Sequence, residues 1–115
     1  MSETEGEFEL HLLDNLDPLI HVPARLMIMK CLFVVESAES LFLMKMIGLT
    51  WGNLSSHLSK LEDAGYVVIK KSFRGKKPFT TVSITTEGRQ RFLRYRSAML
   101  TGLAQEPSKL VEDRT

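Results

Sequence analysis

Apolar positions give the chain its first outline. From Pro23 to about Val35 it reads Pro-Ala-Arg-Leu-Met-Ile-Met-Lys-Cys-Leu-Phe-Val-Val, with polar residues only at Arg25 and Lys30. This pattern predicts a core helix, apolar around most of its circumference. Pro23 suits its first turn, where a backbone N–H has no helical partner anyway. Cys31 inside that helix reads as a small buried hydrophobe. Glu36 to Ser40 is a polar break. Leu41 to Ile47 predicts a second, short helix whose one charge is Lys45, and Gly48 can supply the left-handed residue that ends it. Thr50 is placed to cap a third helix, from Trp51 to about Ala64, with Gly65 as its stop.

The period then changes. Tyr66 to Lys71 and Phe79 to Ile84 are rich in β-formers. Between them Ser72-Phe73-Arg74-Gly75-Lys76-Lys77-Pro78 forms a basic turn, so the segment predicts a hairpin with a cationic tip. Thr85 or Thr86 caps a last helix to about Leu103. Its apolar positions Phe92, Tyr95 or Arg96, Met99, Leu100 and Leu103 fall near heptad spacing. Upstream, Phe8, Leu12, Leu13 and Leu16 recur at helical spacing, which predicts a short helix interrupted at Asp17-Pro18. Asp14 and Asp17 read as solvated charges. The polar tail from Gln105 is expected to be disordered. The fold class expected is α+β, mainly α. The units are an acidic lead at 1–13, one domain at 14–104, and a polar tail at 105–115.

Charge sharpens this outline. The whole chain carries a net charge of +1. Residues 1–22 hold six carboxylates and no lysine or arginine, a net of −6. Residues 45–96 hold 11 cations against 3 carboxylates, a net of +8. A basic block inside a near-neutral chain points to a polyanionic partner. No apolar run approaches the roughly 20 residues that span a bilayer, and the N-terminus lacks the pattern of a signal peptide. One cysteine excludes an intramolecular disulfide, which fits a cytoplasmic protein.

The second and third helices with their Gly-Leu-Thr link make a helix-turn-helix, whose second helix lies in the DNA major groove. At about 100° per residue, Leu54, Leu58 and Leu61 cluster on one side of that helix. The opposite face carries Gly52, Ser56, Ser59 and Asp63, flanked by Asn53 and Lys60. Such small polar side chains let a helix sit deep in the groove; Asn pairs with adenine, Lys reaches guanine, and Ser donates or accepts. A merely solvated helix would more often carry long charged residues in i,i+4 pairs. Trp51 is placed either to pack on the preceding short helix or to lie against the sugar-phosphate backbone; packing is favoured because tryptophan usually buries most of its area. His57 reads as a boundary residue. Lys70, Lys71, Arg74, Lys76 and Lys77 give the hairpin cations for phosphate or an adjacent minor groove, and the Thr80 and Thr81 hydroxyls add phosphate contacts.

The run Gly48-Leu49-Thr50-Trp51-Gly52-Asn53-Leu54-Ser55-Ser56-His57-Leu58-Ser59-Lys60-Leu61-Glu62-Asp63-Ala64-Gly65-Tyr66-Val67 closely resembles small winged helix DNA-binding proteins of the broad MarR/ArsR-like group of bacterial and archaeal transcription regulators. The resemblance includes Leu16 to His21, Lys76 to Thr81 in the wing and Thr85 to Arg89, and covers roughly residues 14 to 102. It implies a winged helix-turn-helix with a C-terminal dimerisation helix. DNA binding is implied through Thr50, Trp51, Gly52, Asn53, Ser55, Ser56, Ser59 and Lys60, and through Arg74, Lys76, Lys77, Thr80 and Thr81 in and beside the wing. Similar wings often carry a basic residue where Phe79 stands.

A homodimer through the N-terminal segment and the last helix has its own rationale. One small core cannot easily bury the apolar stripes of both. Two other readings remain: a protein-interaction module that uses the cationic wing on an acidic partner, and a regulator sensing an effector at the dimer interface. His11, His21, His57 and Cys31 form no metal-ligand spacing. No cofactor is expected, and the sequence carries no enzyme motif.

Overall fold

In the computed structural model the fold is described for residues 16–105. The helix expected upstream of Leu16, the acidic lead and the tail beyond Gln105 lie outside the described residues. Within them the order is α1 (Pro23–Val35), β1 (Ser37–Glu39), α2 (Ser40–Ile47), α3 (Trp51–Asp63), β2 (Val67–Arg74), β3 (Lys77–Ile84) and α4 (Thr86–Ala104). The strands form one antiparallel sheet in the order β1-β3-β2.

Helix ends obey the local chemistry of their sequences. Gly48 ends α2 at φ 79°, its N–H donating to the Met44 carbonyl at 2.9 Å. The Thr50 hydroxyl accepts from the Asn53 N–H at 3.2 Å and starts α3. Gly65 follows α3 at φ 81°. Of the two candidate caps for α4, Thr85 is the one used. Its hydroxyl accepts from the Gly88 N–H at 2.9 Å and donates to the Gly65 carbonyl at 2.6 Å. The start of α4 is thereby fastened to the end of α3.

Three features depart from the sequence reading. First, the polar break after α1 contains a strand. Ser37, Ala38 and Glu39 pair with Ser83, Val82 and Thr81 of β3. Ser-Ala-Glu has little intrinsic β preference; its pairing partner makes it a strand. The chain enters this strand through Glu36, a non-glycine residue at φ 67°. Second, the hairpin is longer and its turn tighter than expected. Arg74 faces Lys77 and only Gly75-Lys76 join them, with Gly75 at φ 66°. Pro78 sits inside β3 without loss, because β1 covers β3 only from Thr81 to Ser83, so no described strand lies beside Pro78 on that edge. Third, Asp17 is a structural residue. Its carboxylate accepts from the Leu19 N–H at 2.8 Å and from the Tyr66 hydroxyl. Its carbonyl accepts from the Ile20 and His21 N–H groups.

The core lies where the helices meet the base of the sheet. Ile28, Met29 and Leu32 of α1 pack with Leu43 of α2, Leu54, Leu58 and Leu61 of α3, Val67 and Val82 of the hairpin, and Phe92 and Tyr95 of α4. The α4 stripe therefore divides. Its first half fills this core, while Leu100 and Leu103 stay 63% and 71% exposed. Cys31 is only half-buried, its Sγ 3.8 Å from the Met46 sulfur, and burial pushes its thiol pKa up.

Candidate nucleic-acid interface

Helix α3 is anchored by its three leucines, which leaves its outer face to solvent. Gly52, Asn53, Ser55, Ser56, Ser59 and Lys60 are all exposed, as are Thr50 and Trp51 at the helix start. No side chain longer than lysine stands on that face. Trp51 departs from the expected packing: it remains 55% exposed. It borders a cleft of about 450 Å³ between α3 and the hairpin. Ser55, Ser59 and Glu62 of α3 line one wall, Ile69, Lys71 and Thr80 the other, and Ser40 closes the end. Helix and hairpin thus present adjacent surfaces with a shallow trough between them.

His57 lies mid-way along α3 and is half-buried, on the flank between the helix's core and outer faces where the sequence reading puts it. Its Nδ1 is buried without a hydrogen-bond partner among the described residues, as is Nε of Arg25. Burial pushes the His57 pKa down, helped by the charges of Arg25 and Lys60.

Strand alternation sorts the hairpin side chains into two faces. Lys71 and Thr80 share the face that continues the core through Val67, Ile69 and Val82. Lys70, Arg74, Lys77, Phe79 and Thr81 share the other. The two threonines, taken together in the sequence as phosphate contacts, thus point to opposite sides, and Thr81 stands between Lys70 of β2 and Glu39 of β1. Lys76 occupies the turn, and both it and Lys77 are exposed.

The basic block is not uniformly available. Arg74 donates to the Glu39 carboxylate at 2.6 Å, and its guanidinium lies 4.5 Å from the centre of the Phe79 ring. Arg89 turns inward: it donates to the Phe33 carbonyl at 3.3 Å, reaches Glu36 at 3.6 Å, and stacks on Phe33. There it holds α4 against the C-terminal end of α1, where a cation is also favoured by the helix dipole. Arg96 lies over the same ring. Sequence reasoning counts these arginines as surface charge. The clues to their engagement are Phe79 within the wing and Phe33, Glu36 and Glu39, which lie outside the basic block along the chain.

A capped helix pair followed by a two-stranded hairpin alongside its second helix defines a winged helix-turn-helix. Comparison with known proteins agrees. The family of winged helix DNA-binding domains matches residues 24–102, and the chain belongs to that family. Its fold also matches the transcriptional regulator homologue protein from Pyrococcus horikoshii OT3, with a TM-score of 0.66 and 32% identity over 91% of this chain and 100% of that one. An uncharacterized protein of Methanocaldococcus jannaschii is 39% identical over 71 residues, which is 62% of this chain and 77% of that protein. Reduced AbfR, solved bound to DNA, shares the fold with a TM-score of 0.68 at 17% identity, over 98% of this chain and 81% of AbfR. Among the described residues, no three His, Cys, Asp or Glu side chains gather as a metal ion would need, and no helix is long and apolar enough to cross a membrane.

Proposed function

We propose that this chain is a cytoplasmic transcription regulator that binds duplex DNA sequence-specifically as a homodimer. The observation that carries the proposal is the exposed face of α3, small and polar at Gly52, Asn53, Ser55, Ser56 and Ser59, set beside a hairpin ending in Lys76 and Lys77. In this reading α3 enters the major groove. Asn53 and Lys60 meet base edges, the serines and Gly52 allow close approach, and Thr50 and Trp51 lie at the backbone. Lys76, Lys77, Arg74 and Thr81 address the phosphates or the neighbouring minor groove, and Thr80 the phosphate beside the cleft. The chain binds and does not catalyse. That a protein of the same fold, AbfR, was solved on DNA supports the reading.

The dimer is supported by Leu100 and Leu103. Their exposure on the far end of α4 leaves an apolar surface that a two-fold mate would cover. A two-fold protein reads two half-sites about one helical turn apart.

The test is binding to random-sequence duplex DNA at several salt concentrations, for wild type and for Arg74→Ala/Lys76→Ala/Lys77→Ala. With about four phosphates neutralised per subunit, log K falls with log[salt] at a slope near −3.6 per subunit, and the triple variant has a shallower slope. Absence of binding at low salt would overturn the DNA reading and leave an acidic protein partner for the wing.

A further inference from the structure

We infer that Glu39 is an internal competitor for the DNA phosphate at Arg74, an electrostatic latch that sets the affinity of the wing. The inference rests on the DNA-binding reading above and adds to it a residue from a strand that has no place in the sequence reading.

The register shows how the latch is made. Arg74 and Lys77 form the last pair before the turn, so the Arg74 backbone stands at the wing tip. Glu39 pairs with Thr81, four residues nearer the sheet base along β3. At about 3.4 Å per residue, that offset is roughly 13 Å along the strand. The guanidinium nevertheless reaches the Glu39 carboxylate at 2.6 Å. The Arg74 side chain therefore lies folded back along the sheet, away from the tip. Phe79, between Lys77 and Thr81 on the same face of β3, supplies the surface it lies on: the guanidinium is 4.5 Å from the ring centre. An aromatic residue at this point of the wing thus has a role, as a platform for a withdrawn arginine.

Both partners are reachable by solvent, with side-chain exposures of 68% for Arg74 and 39% for Glu39. An exposed ion pair is weak enough to be exchanged. A phosphate offers the guanidinium a negative charge and paired acceptor oxygens, as a carboxylate does. The exchange needs only side-chain rotation about Arg74, with no movement of the strands. Glu39 is spared other duties: it precedes α2 in the capping position, but its side chain makes no capping hydrogen bond. The latch lowers wing affinity for any phosphate backbone by the same factor, so its effect is read most directly on random-sequence DNA, where phosphate contacts supply nearly all the free energy.

The test is a double-mutant cycle read by binding to random-sequence duplex DNA at fixed salt: wild type, Glu39→Gln, Arg74→Ala and the double variant. Glutamine keeps the size of Glu39 and removes its charge. The expected result is a gain of roughly two- to fivefold in affinity for Glu39→Gln, abolished when Arg74 is alanine. An equal gain in both backgrounds would mean that Glu39 repels DNA by its charge alone, and would overturn the latch. Unchanged or weaker binding by Glu39→Gln would overturn it too, the latter by showing that Glu39 holds Arg74 ready for DNA. Failure of wild type to bind DNA at low salt defeats the DNA reading itself, a result distinct from either of these.

Discussion

The Tyr66 hydroxyl donates to the carboxylate of Asp17, tying the chain just past α3 to the turn that leads into the first core helix. On the far side of the same turn, His21 Nδ1 and the Tyr95 hydroxyl lie 2.7 Å apart. Two tyrosines thus hold the short strap 17–21 to the end of α3 and to the middle of α4. The entry to α1, the outward-facing helix α3 and the long C-terminal helix are joined at one place.

That place has an alkaline signature. Burial, reinforced by the bond to Asp17, pushes the Tyr66 pKa to about 12. Burial also raises that of Tyr95. A raised tyrosine favours the neutral phenol in the fold. Its contribution is complete below the unfolded value near 10 and is lost as pH rises toward 12. Absorbance titration of phenolate in the folded protein should show neither tyrosine ionising at its ordinary pH. Tyr66→Phe should cost about 1–2 kcal/mol at neutral pH, because half-buried Asp17 loses a donor. In chemical denaturation it should also flatten the decline between pH 10 and 12 relative to wild type.

His57 has the opposite sense. Its pKa is lowered by burial and by the nearby charges of Arg25 and Lys60, so the fold disfavours its protonated form. Its contribution is present above the unfolded value near 6.5 and is lost as pH falls through the lower folded value. Thermal melts between pH 7.5 and 5 should show wild type losing stability faster than His57→Gln. Parallel curves would mean that the imidazole is not desolvated in solution.

Gly88 tolerates no side chain. A Cβ there would stand 2.1 Å from the Tyr66 carbonyl oxygen, a backbone atom that also accepts from the Thr85 N–H at 3.0 Å. Gly88→Ala should destabilise by at least about 3 kcal/mol, or prevent folding. Gly52, with open space around it on the outer face of α3, serves as the control: Gly52→Ala should fold normally by circular dichroism and, under the proposed DNA reading, lose DNA affinity, since it adds bulk to the surface proposed to enter the groove.

Leu100→Ser/Leu103→Ser removes apolar surface that the core does not use. Sedimentation should show a dimer converted to monomer, or a dimer of much weaker affinity, with the helical spectrum of residues 16–105 retained. An unchanged dimer would place the interface elsewhere.

The helices and their caps are legible because their signals are local. Gly48, Thr50 and Gly65 act within one turn of where they stand, and the leucines of α3 state their own period. The hairpin is visible in its β-formers, but its turn is not, since Ser72, Phe73 and Pro78 look like loop residues until a partner strand is supplied. Strand β1 is invisible for the same reason: a three-residue Ser-Ala-Glu segment becomes a strand only through β3. Asp17 looks solvated because Tyr66, 49 positions away, is its partner. In the candidate interface, the outer residues of α3 can be read from helical geometry. The withdrawal of Arg74 cannot, because it depends on the pairing of β1.

The turn at Gly75-Lys76 decides how the wing can behave. Beyond the reach of β1, about four residues of each strand project as a narrow ribbon, closed by the shortest common hairpin link. A longer basic loop would let its lysines search for phosphates over a wide arc. This ribbon is a ruler instead: it fixes the span from Lys76 to the face of α3 in the protein, before any DNA arrives. Under the proposed DNA reading, binding favours duplexes whose groove width matches that span, which would make the shape of the double helix part of what is recognised.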